Sequence, residues 1–145
     1  MISEKLAIGN LARRTGCKVQ TIRYYEQVGL MPHPVRTAGG QRRYGENHLD
    51  RLLFIRHSRE LGFSLDQIRS LLDLSDRPDR SCDDADRIAR ENLEAVRHRI
   101  HSLRVLEEEL ERMVAECRGG RVCDCRVIEV LSDHGKCLHD RHDTP

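Results

Sequence analysis

The sequence predicts a mainly α protein. A winged helix-turn-helix domain leads into one long coiled-coil helix, then into a cysteine-bearing loop with a short helix. Three observations predict it. Two short helical patterns, each ended by glycine, stand back to back ahead of a stretch rich in Pro, Gly and Arg. From about Asp83 to Glu116 there is neither proline nor glycine, and apolar residues recur at steps of three and four. The loop "CRGGRVCDC", from Cys117 to Cys125, then gathers half of the six cysteines.

The first element is read from "LAIGNLARRTG": Ile8, Leu11 and Ala12 share a face, and Gly16 stops the helix. In "KVQTIRYYEQVGL", Val19, Ile22, Tyr25 and Val28 fall at helical spacing and Gly29 closes the run. "MPHPVRTAGGQRRYG" holds two short extended pieces around Gly39 and Gly40, which predicts a hairpin or wing. Two further helices follow. Leu49, Leu52, Leu53 and Ile55 line the first, and Leu65, Ile68, Leu71 and Leu72 the second. The second opens on "SLDQ", a capping-box pattern, and Pro78 lies beyond its end. The expected segments are a winged helix-turn-helix domain over 1–75, a linker over 76–81 and a dimerisation helix over 82–116. A loop and short helix over 117–133 and a flexible His/Cys tail over 134–145 complete the chain.

The long helix carries Ala89, Leu93, Val96, Ile100, Leu103, Leu110 and Val114 as a heptad seam interrupted at Glu107. At 1.5 Å per residue it spans roughly 50 Å, too far to bury that seam on a small domain. An exposed seam wants a partner, so an antiparallel coiled coil within a homodimer is expected.

The formal net charge of +1 hides an asymmetry. Basic residues outnumber acidic ones between Arg13 and Arg59, while the chain after Leu65 is roughly balanced. A surface for nucleic acid therefore belongs to the first third. Arg23, Tyr24, Arg36, Arg42, Arg43 and Tyr44, grouped with Tyr25, are the candidate contacts to double-stranded DNA. Most would meet phosphates, and Arg23 on the second helix is the candidate for a base edge. Tryptophan is absent and aromatics are few, against a stacking platform for single strands. No GxGxxG, P-loop, HExxH or GxSxG pattern is present, and no enzyme is expected. No apolar stretch reaches the length of about 18 residues that a membrane span needs. The N-terminal residues do not read as a secretory signal, so a reducing, cytoplasmic setting is expected. There, clustered cysteines point to metal or redox chemistry rather than disulfides.

Cys82 precedes the long helix and Cys117 follows it. A straight helix would put them about 52 Å apart, so they cannot share an ion within one chain. In an antiparallel dimer, Cys82 of one protomer comes near Cys117 of the other. Gly119 and Gly120 allow Cys117 and Cys125 to curl toward one ion. Thiolates suit Cu(I), Zn(II), Cd(II), Pb(II) and Hg(II). Two suit a linear monovalent ion; a third, from Cys82, suits a divalent one. Cys123 stands open between a fourth ligand and a residue pointing away. In the tail, His134, Cys137, His139 and His142 are candidates for a second ion or for adventitious binding. Cys17, inside the turn, reads as a packing residue.

The stretch from "IGNLARRTGCKVQTIRYYEQVGL" through the wing to "DQIRSLL" resembles the MerR family of transcription regulators. "TIRYYEQVGL" and the Arg-Tyr ending of the wing carry the likeness most specifically. The likeness continues through the long helix into "CRGGRVCDCRVIEVL", whose Cys-x7-Cys spacing before an apolar helix resembles the family's metal-sensing branch. A cysteine at the head of the long helix, here Cys82, is similar to the divalent-ion subgroup; copper-type sensors carry serine there. The resemblance implies a homodimeric sensor of zinc, cadmium, lead or mercury that controls efflux or detoxification genes. It also implies binding to an over-long promoter spacer, with metal twisting the DNA for RNA polymerase. Gln41, where tyrosine is common in the wing, and the extra thiol of Cys123 depart from the pattern. The alternatives are a copper(I)-responsive regulator of the same family, a cysteine-rich metal carrier, and a redox protein using Cys123 and Cys125. A carrier has no use for a basic helix-turn-helix, and CxC is not the CxxC of redox motifs.

Overall fold

The computed structural model describes residues 5–117, 119–122 and 125–137. It contains six α-helices and a two-stranded wing: α1 (Ile8–Thr15), α2 (Val19–Gln27), β1 (Val35–Arg36), β2 (Arg42–Arg43), α3 (Glu46–Glu60), α4 (Leu65–Ser75), α5 (Asp83–Glu116) and α6 (Arg126–Ser132). A 3₁₀ turn follows at His134–Lys136. The chain divides into two compact units between Ile88 and Ala89, within α5.

In the first unit α1 and α2 form the helix-turn-helix. Gly16 ends α1 with φ of 69°, a left-handed conformation that a side chain would strain. A Cβ there would also strike the Arg56 guanidinium, which donates to the Thr15 carbonyl. The turn is thus braced from α3. The wing strands pair antiparallel, Val35 with Arg43 and Arg36 with Arg42, and the turn between them closes through Gly40 N–H donating to Thr37 O at 2.8 Å. Leu6 adds an antiparallel bridge to Tyr44, with backbone bonds of 2.7 and 2.9 Å in both directions. The periodicity reading did not foresee that bridge, because one residue leaves no pattern. Ser64 and Gln67 form the reciprocal cap that starts α4, at 3.2 and 2.9 Å.

One core joins these elements. Leu11, Ile22, Leu52, Ile55 and Ile68 are fully buried, one or more from each of the four helices. Burying each such side chain contributes roughly 1.5–3 kcal/mol. Cys17 packs against this core. Two long guanidiniums tie the segment after α2 to the helices beneath it: Arg51 Nε donates to Leu30 O and Arg69 to Val28 O, both at 2.7 Å.

In the second unit α5 carries two apolar stripes rather than one. Leu93, Val96, Ile100, Leu103, Leu110 and Val114 are exposed. Leu106, Glu109, Leu110 and Met113 face a cavity of about 300 Å³ whose other wall is Val130, Leu131, His134 and Cys137. Met113 and Val130 are the buried apolar residues there. A heptad reading finds only the outer seam, so the inner stripe is a correction to it.

Candidate DNA interface and metal centre

On α2 the buried residues are Ile22, Tyr25 and Glu26, which turns Gln20, Arg23, Tyr24 and Gln27 outward. Arg23 is exposed and Tyr24 is 47% exposed. Arg36 lies exposed on β1 and bonds the wing turn at Gly40 O, while Arg42 and Arg43 are half-buried on β2. Arg43 bonds Gln41 Oε1 at 3.3 Å. Two aromatic candidates belong elsewhere. Tyr44 is fully buried with its hydroxyl on Glu26, and Tyr25 is 8% exposed beside Tyr24 and Arg59. The correction has a physical reason. Neighbouring helix positions point about 100° apart, so only one of Tyr24 and Tyr25 faces out. Tyr44 is held inward by its backbone bridge to Leu6 and by its hydroxyl bond to Glu26.

Glu26 is the residue that sequence reasoning missed. It is 6% exposed, accepts the Tyr44 hydroxyl at 2.5 Å and lies 3.8 Å from Arg42. A carboxylate inside an otherwise basic stretch was the available signal.

The cysteines lie at the helix ends. Cys82 is exposed just before α5 and Cys117 is exposed just after it. Cys125 is half-buried as the N-cap residue of α6. The nearby backbone N–H of Ile128 first, then that of Val127 and the Cys117 thiol, hold its pKa below the ordinary thiol value against the opposing effect of burial, and the lowered value favours the thiolate that metals bind. Gly119 and Gly120, with φ of 70° and 104°, supply the backbone path that lets the loop return. Cys117 and Cys125 thus stand as free thiols at the two ends of this loop, and thiol donors suit a thiophilic ion. Among the described residues no three His, Cys, Asp or Glu side chains gather in metal-binding reach within the chain. His134 and Cys137 line the cavity between α5 and α6. Cys123, His139 and His142 lie outside the described residues. Among the described residues, no helix is long and apolar enough to cross a membrane.

A helix-turn-helix with an arginine-bearing outer face, a wing beside it and a long helix beyond defines the class of DNA-binding transcription regulators. The family model described as MerR HTH family regulatory protein matches residues 6–75, and that described as MerR, DNA binding matches residues 49–113. The chain is 42% identical over 127 residues to the HTH-type transcriptional regulator ZntR of Escherichia coli K12, covering 86% of this chain and 90% of that one. It is 40% identical to the transcription regulator PbrR691 of Ralstonia metallidurans CH34, solved in complex with lead(II). The TM-score is 0.75, with 87% of this chain and 98% of that one covered. Against MerR from Bacillus megaterium MB1, solved with mercury(II), identity is 31% and TM-score 0.67, covering 88% and 100%. The chain belongs to the MerR family of transcription regulators.

Proposed function

We propose that this protein is a metal-responsive regulator. It binds promoter DNA as a homodimer and activates heavy-metal efflux or resistance genes when a divalent thiophilic ion, zinc, cadmium, lead or mercury, is bound. The observation that carries the reading is the loop that turns back through Gly119 and Gly120 between the free thiols of Cys117 and Cys125, on the same chain as the winged helix-turn-helix. Relatives solved with lead(II) and mercury(II) support it. The exposed seam from Leu93 to Val114 supports the dimer, since burying it needs a second copy.

Each site takes Cys117 and Cys125 from one protomer and the partner's Cys82. Two thiolates alone neutralise a divalent ion poorly, and a third corrects that. Closing the loop then holds α6 in place on the dimer helices and shifts the DNA-binding domains. The bound promoter, with its over-long spacer, twists into a form that RNA polymerase can use.

A mixed dimer tests the shared site. One protomer carries Cys82→Ser and the other carries both Cys117→Ser and Cys125→Ser. One of its two sites then keeps all three thiolates, and the dimer is expected to bind one ion tightly. Finding no tight site would sink the cross-protomer arrangement. A promoter-reporter exposed to each metal in turn identifies the inducer, and a response to copper(I) alone would replace the divalent reading.

A further inference from the structure

The charges that flank the two loop thiols form one continuous chain across three elements. Arg112, near the end of α5, meets Glu116 Oε1 through Nε at 3.1 Å. The other oxygen of Glu116, Oε2, lies 2.5 Å from Arg126 Nε, an ion pair without hydrogen-bond alignment. Arg126 reaches Glu129 Oε2 at 3.1 Å, and Lys136 Nζ pairs with Glu129 Oε1. Both arginines also donate to the Lys136 carbonyl, at 3.2 and 3.3 Å. The signs alternate along the whole series.

The position of the central pair matters most. Glu116 immediately precedes Cys117, and Arg126 immediately follows Cys125. Their contact therefore joins the two ends of the loop at the residues adjoining the thiols. Between them lie Gly119 and Gly120, both left-handed, so the backbone itself offers little stiffness. An ion binding to an unfastened loop would have to order it, and that cost would weaken affinity. The Arg126 side chain is 19% exposed, while its partners Glu116 and Glu129 are 41% and 46% exposed, so salt reaches and screens these pairs.

We propose that Arg126, held by Glu116, is a positioning residue. It fastens the start of α6 to the end of α5 and so sets the Cys125 sulfur beside Cys117 before an ion arrives. The proposal rests on Cys117 and Cys125 being ligands, as argued above. Arg126 touches no ion itself; it acts through the geometry of the loop.

The test is a cadmium(II) titration of the full-length dimer against a competing chelator. The proteins are wild type, Glu116→Gln, Arg126→Gln, both changes together, and Arg126→Lys. Each single glutamine variant is expected to weaken cadmium binding roughly tenfold, the low end of what outer-shell changes cost. The double variant is expected to lose less than the sum of the two single losses, because the Glu116–Arg126 contact is absent from all three. Ions bound per dimer and metal-free promoter affinity are expected to stay at wild-type values. Arg126→Lys is expected to recover part of the affinity. Raising salt is expected to weaken wild type more than Arg126→Gln. Additive losses in the double variant, or loss of promoter binding alongside metal binding, would overturn the positioning role. A Cys117→Ser, Cys125→Ser control separates the two layers. If it binds cadmium like wild type, the ligand reading fails and takes this proposal with it. If it loses cadmium while Arg126→Gln binds like wild type, the positioning proposal alone is overturned.

Discussion

The Tyr44 hydroxyl donates a 2.5 Å hydrogen bond to the Glu26 carboxylate, and both side chains are buried. Arg42 approaches the same carboxylate at 3.8 Å. Tyr44 follows the second wing strand directly, and Glu26 lies on the helix that presents Arg23. The bond thus fixes the wing against that helix. Tyr44 also meets the His48 ring edge-on, with ring centroids 5.3 Å apart.

Removing the hydroxyl tests this joint. Tyr44→Phe is expected to cost about 1–3 kcal/mol, because a buried carboxylate loses a donor and gains no water. Burial first, and the bond to Glu26 second, raise the Tyr44 pKa above the ordinary value of 10.0; burial also raises that of Tyr25. A raised phenol stabilises the fold fully below the unfolded value and loses that contribution as pH climbs past it. Wild type is therefore expected to lose stability above about pH 10, with a shallower alkaline limb in Tyr44→Phe. Urea unfolding midpoints across that range check both statements; an unchanged limb would count against the buried, raised phenol of Tyr44.

The outward face of α2 and the wing are expected to differ in how they read DNA. Arg23→Ala is expected to cost about 1–3 kcal/mol on the target promoter and to relax sequence preference. Arg36→Ala is expected to weaken all sequences alike and to lower the salt slope by about 1. Anisotropy titrations on promoter and scrambled duplexes at several salt concentrations measure both. Wild-type binding by both variants would remove this face from the interface.

The outer seam of α5 makes a prediction about assembly. Ile100 is 44% exposed within one chain, and the proposed dimer buries it. Ile100→Asp would place an unpaired charge there and is expected to cost about 3–5 kcal/mol of dimer stability. Sedimentation equilibrium reads the shift toward monomer. An unaltered dimer would show that the seam lies elsewhere.

Much of the fold was legible because it is written in short-range preferences. Gly16 stops α1 because the left-handed turn there suits only glycine. The Ser64 and Gln67 cap lies within one turn of helix and can be read from four letters. α5 runs unbroken over 34 residues because nothing in that stretch removes a backbone donor or frees the chain. The turn after Cys117 was legible too, since Gly119 and Gly120 take the positive φ that two glycines in a loop announce.

What the sequence by itself determined, then, is which segments are helical, where they stop, and which residue types the loop collects. Tertiary structure decided which side of each segment faces what. Tyr24 and Tyr25 are adjacent and chemically identical, yet only packing of α2 on the core chooses the one left outside. Met113 is buried and its neighbour Val114 is 72% exposed, a split that the α6 wall creates. Glu26 with Tyr44, and Glu116 with Arg126, became pairs only once distant elements met. Local conformation depends on neighbours within a turn, which sequence lists in order. A buried pair depends on the separation and orientation of two elements, which the packing of the whole core sets.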